Sequence, residues 1–167
     1  MPTTRIRDNL KPALGAVAAV AAAATAGALG TDPTSPWYQS LSKPPWQPPP
    51  KTFGLVWTPL YGLIAASGAR VLGKATDRSR QRFTYLFATD LALNAGWCWL
   101  FFRAKRPKAA LAELAALQTC NVALTVEAAR RDKAAGAFLV PYVLWSGFAA
   151  ALNTAIVRRN RQVSRGR

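Results

Sequence analysis

The residues of this chain that could act on another molecule are aromatic rings and carboxamides at helical spacing. With Ala88 set to zero and about 100° per residue, Asp90, Asn94, Trp97 and Phe101 fall at about 200°, 240°, 180° and 220°. Ala88, Ala92 and Gly96 fall at about 0°, 40° and 80°, largely on the other side. Tyr142, Trp145, Ala149 and Asn153 share one face further along, and Phe53, Trp57 and Tyr61 recur at steps of four. Rings and amides of this kind stack on, and hydrogen-bond to, a flat and mostly apolar molecule. The parts of ordinary catalysis are missing. The chain has 0 histidines, which excludes most general-base chemistry, most metal chemistry and the usual proximal haem ligand. Cys98 and Cys120 read as small packing residues. Asp90 carries two readings. An acid within a membrane defaults to a functional role, yet Asp90 could equally hydrogen-bond a neighbouring helix, as could Asn94.

The elements that must carry these faces are membrane spans. The 22 Lys and Arg and 7 acidic residues, net +15, are clustered, and between the clusters lie stretches of about 18–24 residues with one charge or none. As helices these reach about 27–36 Å, enough for a bilayer core of about 30 Å. The expected fold is an all-α integral membrane protein, a five-transmembrane-helix bundle. Its spans are 13–30, 52–70, 82–103, 109–127 and 134–157, between a polar basic tail at 1–12 and a basic, disordered tail at 158–167. Pro59 and Pro141 are expected to kink the second and fifth spans. Gly15, Ala19, Ala23 and Gly27 form a small-residue stripe suited to close helix approach. The first span reads as a retained helix, with a cleaved signal peptide as the alternative. The basic connections meet anionic head groups, and no soluble basic domain remains to hold a nucleic acid. Lys and Arg divide eleven against eleven between the two sides, so orientation stays open.

The first long connection, 31–51, is the most distinctive segment. Trp37 to Pro50 holds five prolines and two tryptophans, a composition that predicts a stiff, non-helical loop. Set at the mouth of the aromatic second span, it reads as a lid over a pocket. Trp46 and Trp37 also fit an interfacial belt; Trp97 and Trp145, in mid-span, do not.

Four motifs then carry a resemblance: W-Y-x-x-L-x-K-P-x-W-x-P-P (Trp37 to Pro49), V-W-x-x-L-Y (Val56 to Tyr61), L-N-x-x-W-x-x-x-F-F (Leu93 to Phe102) and P-Y-x-x-W-x-x-F-A-x-x-L-N (Pro141 to Asn153). The chain resembles the TspO/MBR family, the translocator proteins or tryptophan-rich sensory proteins. The resemblance implies a membrane receptor or sensor, usually a homodimer, with a ligand pocket closed by the first loop. Implied ligands are porphyrins such as protoporphyrin and haem, with no cofactor required. Carried over by position, the pocket residues are Tyr38, Trp57, Asn94, Trp97 and Trp145, and the helical faces add Tyr61 and Tyr142. The stripe Ala88, Ala92, Gly96 lies where the family's dimer contact is placed. Bound haem would need Cys98 or Tyr142 as its iron ligand, or none. A porphyrin-degrading enzyme and a ligand translocator are the alternative readings, and a bacterial cell membrane is the expected location. Two departures stand out. Thr154 replaces the tyrosine of the animal sterol motif, and Asp90 stands where an uncharged residue is expected. Asp90 is expected to alter pocket polarity or to pair with Arg70 or Arg103.

Overall fold

A computed structural model describes residues 3–74 and 77–163, with side chains over 10–74 and 80–160. The described residues form α1 (Thr3–Gly30), α2 (Pro36–Ser40), α3 (Pro50–Lys74), α4 (Asp77–Cys98), α5 (Pro107–Arg131) and α6 (Lys133–Val163). A π-helical turn, Trp99–Arg103, continues α4. Four helices are long and apolar enough to cross a membrane: Leu10–Gly30 of α1, α3, α5 and Lys133–Asn160 of α6. The expected bundle of five spans is thus met in its all-helical, membrane-spanning character. The element count differs, with six helices among the described residues.

The extra helix corrects the reading of the lid. Trp37–Ser40 is helical because Pro36 occupies its first turn, where no N–H is needed. Ser35 caps it by accepting the Tyr38 N–H at 3.3 Å. The prolines that forbid helix begin only at Pro44. Helix also extends into both segments expected to be tails. Thr3–Pro12 continues α1, which runs through Pro12, and Arg158–Val163, a segment with neither Gly nor Pro, continues α6. Residues 1–2, 75–76 and 164–167 lie outside the described residues. The helices α3 and α6 run without interruption through Pro59 and Pro141.

Packing follows a different line on α1 from the one expected. Gly15 and Ala19 face outward, while Ala16, Val20, Ala23, Gly27 and Gly30 are buried. Steps of four drift about 40° each, so a straight contact line must alternate steps of four and three. The core brings Ala16 and Val20 of α1 against Ile64 and Val71 of α3 and Phe83 and Phe87 of α4. Gly68 makes room there, because a Cβ would lie 2.7 Å from the tip of the Phe87 ring, which would have to shift.

One residue, Asp132, makes the turn from α5 to α6. Its Oδ1 accepts the Ala135 N–H at 3.1 Å, capping α6. Its Oδ2 accepts from Lys74 at 2.6 Å and from Arg70 at 2.9 Å. Lys74, the Ala135 amide and Arg70 together hold its carboxyl well below the usual carboxylate range. A depressed folded pKa means stabilisation that is complete above the unfolded value of about 4 and lost as pH falls below it. Asp132→Ala is therefore expected to lower Tm by several degrees at pH 7, and the gap from the parent should shrink as melts are run below about pH 4. Asp132→Asn, which keeps an N-cap oxygen, should lose less.

Candidate functional site

A cavity of about 390 Å³ lies inside the bundle under the lid, within the usual range of about 300–1,000 Å³ for small-molecule sites. Its walls are aromatic. Trp57 stacks on Tyr61 at 5.2 Å, Trp97 on Phe101 at 5.1 Å, and Trp145 on Phe148 at 5.1 Å. Phe53 meets Trp145 edge-on at 5.8 Å and so joins α3 to α6. Each ring is held by another ring, which leaves the outer ring faces oriented before any ligand arrives.

Among the described residues, three polar groups bordering the cavity have no hydrogen-bond partner: Trp97 Nε1, Trp145 Nε1 and the Asn153 carboxamide. Asn153 is only 1 % exposed. A buried polar group without a partner is costly, so these positions suit a ligand that brings its own acceptors. Beneath them, the Tyr61 hydroxyl donates to Asn94 Oδ1 at 3.0 Å, and Asn94 Nδ2 donates to the Tyr142 oxygen at 3.1 Å. This bracing links α3, α4 and α6 across the floor.

The lid is pinned at several points. The Tyr38 ring packs on Phe102 at 5.1 Å, its hydroxyl accepts from Gln47 Nε2 at 3.1 Å, and Lys43 Nζ lies 4.5 Å from the ring centroid. Burial pushes the Tyr38 hydroxyl above the usual tyrosine range, opposed by the Gln47 hydrogen bond. Asn160 reaches from α6 to hold the loop backbone twice: its Oδ1 accepts the Ser42 N–H and its Nδ2 donates to the Ser42 carbonyl, both at 3.0 Å. Arg103 donates to the Leu29 carbonyl at 2.9 Å, tying the end of α1 to the π-helical turn. Removing the Asn160 latch costs two exposed hydrogen bonds, each near the low end of the usual range at about 0.5 kcal/mol, so about 1 kcal/mol together. Asn160→Ala should therefore speed ligand release up to about tenfold in stopped-flow measurements, with little change in Tm.

Of the residues singled out from the sequence, Tyr38, Trp57, Tyr61, Asn94, Trp97 and Trp145 line the cavity. Tyr142 does not; it stands behind the wall, 1 % exposed, with its hydroxyl taken by Asn94 and its ring edge-on to Trp57. Cys98 borders the cavity, whereas Cys120 donates outside it to the Leu86 carbonyl. Ala88 and Ala92 are exposed on the outer face of α4, and Gly96 is half-buried beside Glu113 of α5. Asp90 pairs with neither arginine. It is fully buried with its carboxyl toward Tyr142, while Arg70 is engaged by Asp132 and Arg103 by Leu29 and Asp32. The reason is position, since Arg70 ends up at the α5–α6 turn and Arg103 at the lid end. Sequence reasoning missed the contributions of α1 and α5, namely Ala24, Gly27 and Ala28 and then Leu114 and Leu117. Small and aliphatic residues carry no sign of a site. Ser146, one residue after Trp145 and also on the cavity, was equally silent.

Residues 16–159 match the family model described as the TspO/MBR family. The chain is 37 % identical over 129 residues to the "Tryptophan-rich protein TspO" of Chlorobaculum tepidum, covering 77 % of this chain and 82 % of that protein. It is 37 % identical over 124 residues to the "Tryptophan-rich sensory protein" of Cereibacter sphaeroides, covering 74 % and 77 %. It is 33 % identical over 134 residues to the "Translocator protein" of Homo sapiens, covering 78 % and 79 %.

Proposed function

The chain belongs to the TspO/MBR family of membrane proteins, and from that premise we propose that it is a receptor for a flat, mostly apolar tetrapyrrole, bound in the lidded cavity. The observation that carries this reading is the combination of stacked aromatic walls with unpartnered donors at Trp97 Nε1, Trp145 Nε1 and Asn153. Aromatic faces take the macrocycle, and the donors suit carboxylate or carbonyl oxygens at its edge. Ring stacking dominates in this reading, so metal-free protoporphyrin binds about as well as haem. Tyr142 is withdrawn from the role of iron ligand by its place behind the wall.

Within the same proposal, α4 with its π-helical turn is the fifth span, and α1, α3, α5 and α6 are the other four. Two copies meet through Ala88, Ala92 and Gly96, whose small side chains admit close helix approach. The membrane is that of a bacterial cell, a reading supported by relatives from the bacteria Chlorobaculum tepidum and Bacillus subtilis.

Titration of protoporphyrin into the purified protein in detergent, followed by tryptophan quenching, tests the reading. Saturable quenching with an unchanged porphyrin spectrum in light and dark is expected. Loss of the porphyrin spectrum that requires Trp145 would make the cavity an enzyme's. Absence of saturable quenching would remove tetrapyrroles from consideration.

A further inference from the structure

A second concavity, of about 770 Å³, opens on the outside of the bundle between the first half of α4 and the last half of α5. The chemistry along it is graded. Gln81, Arg82 and Arg130 lie at one end, at the level of the Asp132 turn two residues beyond Arg130. Tyr85, Leu86, Ala123 and Val126 lie along the rest, with Thr89 furthest from the charged end on α4. Tyr85 is 66 % exposed and Val126 45 %. Glu127, the one acid lining the groove among the described residues, is buried and paired with Arg131. Arg82 and Arg130 also lie near the Glu127 carboxylate, yet both side chains are exposed over an apolar floor, and three arginines around one acid leave this end of the groove net positive.

We propose that this groove binds an anionic phospholipid, with its phosphate between Arg82 and Arg130 and the start of an acyl chain along Tyr85, Leu86, Ala123 and Val126. Charge complementarity selects the occupant. The arginines stand at head-group depth, where basic residues attract anionic lipid, and the floor faces the depth of the acyl chains. A second copy of the chain fits less well. A two-fold contact through this groove would press the same patch of both copies together at one depth, crowding four arginines around two bulky Tyr85 rings. The small residues suited to a helix contact start deeper, at Ala88. This inference uses the membrane setting alone and is independent of what the inner cavity holds.

Native mass spectrometry of the full chain in detergent, titrated with phosphatidylglycerol or phosphatidylcholine of identical chains, tests it. One phosphatidylglycerol per chain is expected at saturation, with phosphatidylcholine at least tenfold weaker. The double variant Arg82→Gln/Arg130→Gln should weaken phosphatidylglycerol about thirty-fold, as expected for two basic contacts at a membrane surface. Lys105→Gln/Arg106→Gln, an equal charge change beyond the other end of α4, should leave it unchanged. Ala123→Trp, which fills the floor and spares the arginines, should also weaken it. Equal binding of both lipids, or equal loss in the two double variants, would overturn the site. Competition by glycerol phosphate as strong as by the whole lipid would reduce it to a head-group anion site and overturn it too. Val126→Cys, on the α5 wall of the groove, that cross-links two copies fully at any lipid concentration would assign the groove to a second copy instead.

Discussion

Trp145→Ala is expected to weaken protoporphyrin binding about 30- to 150-fold, corresponding to about 2–3 kcal/mol for one large stacking ring. Trp145 is chosen because its ring joins two elements: it stacks on Phe148 and meets Phe53 of α3 edge-on. Two substitutions separate its contributions. Trp145→Phe keeps a ring in the stack and removes only the free Nε1 donor, so the loss should fall to roughly 2- to 12-fold, the worth of one net hydrogen bond. Trp145→Leu keeps apolar bulk without a π face and should lie nearer alanine. If alanine binds protoporphyrin like the parent, the aromatic cavity is not where the ligand sits. Melting curves of each variant distinguish loss of the site from loss of the fold.

The largest expected stability effect comes from a single methyl group at Gly136. A Cβ there would lie 2.4 Å from Ala129 Cβ, 2.7 Å from Ala129 Cα and 2.9 Å from Ala129 N. Alanine is the better helix former by about 1 kcal/mol, which works in favour of Gly136→Ala. Against it stands overpacking, about 1–3 kcal/mol where side chains can move and more where they cannot. Here the obstacle includes backbone, so steric cost wins. Gly136→Ala should lower Tm by more than any surface substitution, and Gly136→Val by more again. The damage should also reach the ligand, because displacing the first turns of α6 moves Tyr142 and Trp145, which the same helix carries. The Asp132 cap at Ala135 adjoins the clash. Thermal melts paired with protoporphyrin titration check both parts; an unchanged Tm in Gly136→Ala would show that α5 and α6 are not packed this closely in the membrane.

Asn94 and Trp97 fall on one helix face at 100° per residue, and both line the cavity. That agreement is local geometry, available from spacing alone. Tyr142 was selected by the same logic and stands behind the wall, because a helix face is wider than the strip of it that meets a cavity. The segment 130–133 read as a basic turn, yet its acid organises it: Asp132 gathers Arg70 and Lys74 from 62 and 58 residues away. No spacing rule links residues so distant. The lid was legible in outline, but its short helix was obscured by averaging composition over 37–50, where the prolines cluster in the second half.

Hydropathy, charge clustering and four motifs thus determined, without any structure, an all-helical membrane protein of this family with aromatic faces and a proline-rich cap. These properties depend on the order of neighbouring residues, which the chain carries in itself. Tertiary structure alone decided which parts of those faces meet in one cavity, that α1 and α5 close it, that Asn160 latches the lid and that Arg82 shares a groove with Arg130. Each of these depends on the register between helices. Register is set by contacts such as Gly68 against Phe87 and Gly136 against Ala129, where the room for a single methyl group decides how closely two helices approach.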